Sequence, residues 1–184
     1  MTDESKKCLG GNRMKNKALV VIDYQNDFVY GALGTQEARS ISNNVKAKVE
    51  EARKNGDLVI FTHDTHFDDY LNTREGRWLP IPHCLSESEG WEIADNIDDF
   101  PHSIVRKTDF GFFGWHDVLA KCDAVELIGV CTDICVVSNA LILRNLFPDM
   151  EVLVDASCCA GTTPEAHKAA LQVMKSCQIT VIGE

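Results

Sequence analysis

The sequence predicts a three-layer, doubly wound α/β fold built around a mostly parallel, six-stranded sheet, and three observations carry that expectation. Apolar runs of strand length alternate with segments of helical periodicity along most of the 184 residues. The runs are apolar throughout rather than alternating with polar residues, as strands covered on both faces are. Helix boundary signals, Asn55-Gly56 and Pro164 among them, fall between the runs.

Taken in order, residues 17–23 (Lys-Ala-Leu-Val-Val-Ile-Asp) and 57–62 (Asp-Leu-Val-Ile-Phe-Thr) read as buried strands. Between them, Ala38, Ile41, Val45, Val49 and Ala52 recur at helical spacing, which predicts a helix over 37–54 closed by Gly56. A short strand is expected at 103–106. The second half repeats the rhythm: strand 124–130, helix 133–146 capped by Thr132 or Asp133, strand 151–154, helix 164–176 capped by Thr162 or Thr163, and strand 178–182. Residues 67–101 break the rhythm. They hold Trp78, Pro80, Pro82, Trp91 and many acids without sustained periodicity, and an irregular segment that long inside a domain is usually functional.

Composition narrows the class of function. With 45% hydrophobic and 25% charged residues, residues 17–184 read as one globular domain, with a loop-rich segment at 64–102 and a polar, flexible tail at 1–16. A net charge of −10 argues against nucleic acid and against anionic membranes, because both need clustered Lys and Arg. No apolar run approaches the length of a membrane span, and the polar N-terminus carries no secretion signal. The eight cysteines lack the spacing of a disulfide framework, and no C-x-x-C pair exists, so reduced thiols in a cytoplasmic protein with a small-molecule partner fit best.

In open α/β sheets, ligands bind beyond the carboxyl ends of the strands, where strand order reverses. Asp23 ends the first strand, Asp64 and His66 follow the second, Lys107 follows the third and Cys135 follows the fourth. With strand order 3-2-1-4-5-6, Asp23 and Cys135 flank the reversal. Each residue has an ordinary reading: Asp23 in a turn, Lys107 on the surface, Cys135 as a small buried hydrophobe. Asp64-Thr65-His66 puts two donors on one side of an extended segment, and His83 lies beyond a loop. His63, His102, His116 and His167 have no companion pattern and read as structural or surface residues.

Four motifs then stand in order: Asp23-Tyr24-Gln25-Asn26-Asp27-Phe28; Asp64-Thr65-His66 with His83-Cys84; Lys107-Thr108-Asp109-Phe110; and Gly129-Val130-Cys131-Thr132-Asp133-Ile134-Cys135-Val136. In this combination the chain resembles the isochorismatase-like cysteine hydrolases, which have a Rossmann-like sheet, and among them it is most similar to the nicotinamidases. The resemblance spans about residues 18–182. It implies a catalytic triad of Asp23, Lys107 and Cys135, with Cys135 attacking an amide carbonyl to release ammonia and form a thioester. Lys107 and the helix N-terminus would lower the thiol pKa, and Asp23 would carry the proton from thiol to departing amine.

It also implies an oxyanion site from the backbone N–H groups of Cys131 and Cys135, beside a cis peptide joining Val130 to Cys131. Asp64, His66 and His83 would hold one divalent metal ion, zinc by donor type, with iron and manganese accepting the same set. Phe28 would line the substrate pocket. One departure bears on substrate: Pro80 stands where many nicotinamidases carry tryptophan, and Trp78 is the candidate replacement wall. The expected reaction is hydrolysis of nicotinamide to nicotinate within NAD salvage, by a protein that assembles as a homo-oligomer. The alternatives are another small amide, a carbamoyl compound or isochorismate as substrate, or a fold kept as a binding module. The complete triad speaks against the last.

Overall fold

A computed structural model describes residues 16–184. Six parallel strands form one sheet in the order β3-β2-β1-β4-β5-β6, where β1 is Lys17–Ile22, β2 Leu58–Asp64, β3 Ser103–Lys107, β4 Ala124–Val130, β5 Glu151–Ala160 and β6 Thr180–Ile182. The expected fold class and strand order are borne out. The chain winds outward from β1 to β3, then restarts at β4 beside β1, so the reversal lies between β1 and β4.

Both sheet faces are covered, as the uninterrupted apolar runs require. On one face Leu19, Val21 and Phe61 pack against Val45, Val49 and Ala52 of the helix Ser42–Asn55. On the other, Val20, Ile22 and Leu127 meet Ala140 and Leu143 of the helix Val137–Leu146 and Leu171 and Met174 of the helix Pro164–Ser176. The helices in chain order are α1 (Asn26–Val29), α2 (Gln36–Ser40), α3 (Ser42–Asn55), α4 (Arg74–Trp78), α5 (Trp115–Leu119), α6 (Val137–Leu146) and α7 (Pro164–Ser176). Gly56 closes α3 at φ 75°, and the Thr163 hydroxyl accepts the Ala166 N–H at the start of α7.

Several boundaries differ from the sequence reading. The helix expected over 37–54 is two helices meeting at Ile41 (φ −86°, ψ −5°), a break that presents the Ser42 hydroxyl to Asp95. Strand β2 runs on to Asp64 and β3 to Lys107, because each continues pairing with its neighbour. Strand β5 is ten residues long rather than four: Asp155 and Ser157 look like turn formers, but Lys48 of α3 neutralises Asp155 and a register shift at Leu127/Gly129 carries the strand onward. The tail expected over 1–16 lies outside the described residues apart from Asn16, whose backbone N–H bonds Asp123. Among the described residues no helix is long and apolar enough to cross a membrane, and the seven described cysteines are free.

Candidate active site

Parallel register does the first positioning. Asp64 and Lys107 are partners across β2 and β3, and Ile22 lies opposite Gly129, so Asp23 and the exit of β4 emerge side by side. Gly129 adopts φ 113°, and a Cβ there would sit 2.1 Å from the Ile22 carbonyl oxygen, so only glycine admits β1 this close. Lys107 reaches into the junction. Its Nζ is 2.6 Å from Asp23 Oδ2, 3.2 Å from Asp64 Oδ1 and 3.7 Å from Cys135 Sγ. Asp23 is further fixed by the Thr62 hydroxyl, which donates to Oδ1 at 2.5 Å and accepts the Asp23 N–H at 2.9 Å.

All three groups are buried, and burial competes with neighbouring charges in setting their protonation. It raises the Asp23 carboxyl above its usual range, against the pull of Lys107. Burial also raises the Cys135 thiol well above its usual value, with Asp23 adding to the rise and Lys107 opposing it. Lys107 does act to lower this thiol, as expected, but one shared ammonium does not outweigh desolvation plus a neighbouring carboxylate, so the net shift is upward. Lys107 itself remains charged, since Asp23, Cys135 and Asp64 overcome its burial.

Cys135 sits in a wide turn, Thr132–Val136, that leads into α6, and the peptide joining Val130 to Cys131 is cis. The Cys131 carbonyl accepts the N–H groups of both Ile134 and Val136 at 3.1 Å. Thr132 and Asp133, expected as helix caps, do other work. The Thr132 hydroxyl bonds His167 Nδ1 at 2.8 Å, and the Asp133 carboxylate accepts the Thr162 N–H and hydroxyl at 2.8 and 2.6 Å. The turn is thus pinned to the start of α7 rather than capped by its own side chains.

Beside Lys107, Asp64, His66 and His83 converge with a fourth group, Glu75 of α4, their donor atoms all within 4.8 Å of one another. His66 Nε2 lies 3.1 Å from Asp64 Oδ2 and 3.8 Å from Glu75 Oε1, and His83 Nε2 lies 3.7 and 3.9 Å from the same two atoms. Such separations are the edges of a coordination polyhedron with bonds of about 2.0–2.2 Å. His83 Nδ1 bonds the Ile81 carbonyl at 2.8 Å, which leaves its Nε2 lone pair facing the cluster. The donor set fits a divalent ion.

Glu75 was not anticipated, because α4 is a single turn in a segment without periodicity. The one local signal is Thr73, whose hydroxyl caps the Gly76 N–H at 2.9 Å. Tyr70, also unanticipated, packs its ring against those of His66 and His83 at 4.6 and 5.2 Å. The turn formers after Asp23 turn out to clamp the irregular segment. Gln25 bonds the Asp64 N–H and carbonyl and the Trp91 carbonyl, Asn26 bonds the Glu89 carbonyl, and Asp27 accepts the Cys84 N–H.

Phe28 is partly buried with its ring 5.4 Å from that of His83, edge to face. Trp78 lines a cleft of about 330 Å³ together with Arg74, Glu75, Asp109 and Phe110. Its side chain is 91% exposed, so it stands at the rim rather than forming a buried wall. The expected pocket pair is thereby divided: Phe28 is beside the metal donors, and Trp78 stands exposed on the cleft that Glu75 also lines.

Comparison with known proteins identifies the family. The isochorismatase domain matches residues 17–183. A probable inactive nicotinamidase of Arabidopsis thaliana is 32% identical over 181 residues, covering 89% of this chain and 90% of the relative. The crystal structure of a nicotinamidase/pyrazinamidase from Bacillus subtilis superposes with a TM-score of 0.82 at 30% identity, covering 91% of this chain and 99% of that one. A zinc complex of the Pyrococcus horikoshii pyrazinamidase gives 0.80 at 29% identity, covering 92% and 99%. With the domain matched over nearly its whole length, the chain belongs to the isochorismatase domain family.

Proposed function

We propose that the protein hydrolyses the amide of a small ring carboxamide, nicotinamide foremost, to the carboxylic acid and ammonia through a Cys135 thioester. The observation that carries this reading is the buried contact set of Lys107, 2.6 Å from Asp23 and 3.7 Å from Cys135. The chain is an amidohydrolase in which Asp23 takes the Cys135 proton as sulfur attacks the carbonyl carbon. The tetrahedral oxyanion lies against the backbone N–H groups of Cys131 and Cys135. As the C–N bond breaks, Asp23 returns the proton to the departing amine. Water then enters, gives a proton to Asp23 and cleaves the thioester, and the proton goes back to sulfur. Lys107 keeps its charge throughout and holds the Asp23 carboxylate in place.

Asp64, Glu75, His66 and His83 are the residues that would hold a divalent ion, zinc by donor chemistry with iron or manganese compatible. When bound, the ion supplies a Lewis-acidic anchor for a ring nitrogen of the substrate. Phe28 orients the ring, and the cleft, at the small end of ligand-pocket size, suits a small molecule. A second reading within the same chemistry, another small amide or a carbamoyl compound, is favoured by the exposure of Trp78 and by Pro80, which leave the entrance open. The cellular setting proposed with the reaction is cytoplasmic NAD salvage by a homo-oligomer.

The test is ammonia release from nicotinamide by the purified protein and by Cys135→Ala. Turnover abolished in the variant supports the reading. No turnover of nicotinamide by wild type, with other small amides cleaved, transfers the assignment to the second substrate class. Wild type inert toward amides, with Cys135 unreactive toward iodoacetamide, refutes the enzymatic reading in favour of a binding module.

A further inference from the structure

We propose that Asn139 is a positioning residue that ties the turn bearing Cys135 to the segment that lines the cleft beside Glu75, and so sets both the nucleophile's placement and the position of that lining segment. The inference rests on Cys135 being the nucleophile of the proposed reaction. Asn139 lies in the first turn of α6 and is fully buried. Asparagine is a poor helix former, and its buried amide needs partners for two N–H groups and a carbonyl oxygen. All are found. Nδ2 donates to the Cys135 carbonyl at 2.8 Å and to the Phe110 carbonyl at 3.0 Å, while Oδ1 accepts the Phe112 N–H at 2.9 Å and the Trp115 Nε1–H at 3.1 Å. Two carbonyls on one side and two donors on the other fix the orientation of the amide without ambiguity.

One nitrogen therefore bridges two functional positions. Asp109 and Phe110 line the cleft together with Glu75 and Trp78, and they come two and three residues after Lys107 in sequence. The same segment is pressed onto α6 next to Asn139: a Cβ on Gly111 would fall 2.4 Å from Ile142 Cδ1. Neither the Cys135 carbonyl nor the Phe110 carbonyl can move without stretching a bond to the same Nδ2. Threonine at this position would separate the two tasks. Its hydroxyl can donate to the carbonyl four residues back, that of Cys135, but it is too short to reach Phe110.

The experiment compares Asn139→Thr and Asn139→Ala in the full-length, zinc-supplemented protein, with three readouts. These are kcat and KM for ammonia release from nicotinamide, the pH profile of Cys135 alkylation by iodoacetamide read by mass spectrometry, and hydrogen exchange at the Phe112 amide. Asn139→Thr is expected to raise KM about tenfold with kcat within about threefold of wild type, and to keep the wild-type alkylation profile. Asn139→Ala is expected to show the same rise in KM, a further loss of about tenfold or more in kcat and a displaced alkylation profile. Both are expected to exchange faster at Phe112.

KM within about twofold of wild type in both variants, or the same loss of kcat in both, overturns the proposal. If Asn139→Ala does not fold, Asn139→Thr decides through KM and exchange. If wild type releases no ammonia, the reaction reading fails separately. Asn139 is then judged by alkylation and exchange: threonine retaining the wild-type alkylation profile with fast exchange supports the tie, and unchanged exchange in both variants refutes it.

Discussion

Replacing Lys107 with methionine removes the one cation shared by the buried acids and the thiol. The Lys107 side chain is 1% exposed and its nitrogen lies 2.6 Å from Asp23 Oδ2. At that separation and an effective dielectric of about 20, the attraction is about 6 kcal/mol, part of which offsets the cost of burying both charges. Breaking such a pair from one side costs about 3–5 kcal/mol, because the remaining carboxylate keeps the Thr62 hydroxyl but loses its compensating charge. For a chain of this size that is a fall in Tm of about 10 °C.

The sign with pH follows from Asp23. Burial already holds its carboxyl above the ordinary range, so the protonated form favours the fold and that contribution is lost as pH rises through the folded value. Without Lys107 the rise is larger. The stability deficit of Lys107→Met should therefore be greater at pH 8 than at pH 5, and the acid limb of kcat/KM should move to higher pH. Loss of an ionised proton acceptor at neutral pH should lower kcat by about 10²–10⁴-fold. Urea unfolding at both pH values and a pH–rate profile measure all three. A deficit below about 1 kcal/mol together with an unmoved acid limb would refute the assignment of Lys107 as the group that keeps Asp23 ionised.

Glu75→Gln should weaken retention of added Zn²⁺ by about 10–100-fold in competition with a chromophoric chelator, and unchanged retention would remove Glu75 from the candidate donor set. Lys48→Met strips a 2.9 Å partner from Glu126 and a 2.8 Å partner from Asp155, and should cost about 3 kcal/mol in urea unfolding while changing turnover less than about twofold. The Asp95 carboxyl is held below its ordinary value of 3.8: burial opposes this, but hydrogen bonds from Ser42, Tyr30 and Tyr24 and the Lys46 charge prevail. Asp95→Asn should cost about 1–2 kcal/mol at pH 7, with the difference fading as the pH falls below the ordinary value and wild type loses the same charge. A cost that is equal at pH 7 and pH 3 would show that the charge of Asp95 is not what stabilises its contacts.

What the sequence made legible was what local pattern and chain order control. Strand β4 and helix α7 run over the residues their apolar and capping signals mark, and the alternation of elements sufficed for the sheet order. Asp23, Asp64, Lys107 and Cys135 could be gathered because each stands at or shortly after a strand end, and strand ends meet at the point where the order reverses. Glu75 was not legible, since a one-turn helix leaves no periodicity and its carboxylate joins the histidines only through tertiary folding. The second half of β5 was hidden because the partner that makes Asp155 tolerable in a strand lies on α3. The net protonation of Cys135 was hidden for a related reason: the lowering influence of Lys107 is visible in sequence, whereas the burial that outweighs it is not.

Two buried ionic clusters built from the same ingredients mark the difference between holding a fold together and doing chemistry. On the face covered by α3, Glu126 receives Lys17 and Lys48, and Asp155 receives Lys48 together with the N–H and hydroxyl of Ser157. There two ammonium groups serve two carboxylates. Asp155 is held below its usual carboxylate range, burial being outweighed by these bonds, so no proton is available to move near neutral pH. At the strand ends, one ammonium serves Asp23, Asp64 and Cys135, and both Asp23 and Cys135 lie above their usual values. A proton shared between two reluctant acids is what a nucleophile and its base require. Deeper burial together with fewer cations per acid separates the candidate catalytic cluster from the structural one. Adding a cation beside Asp23 should therefore impair turnover even if it stabilises the fold.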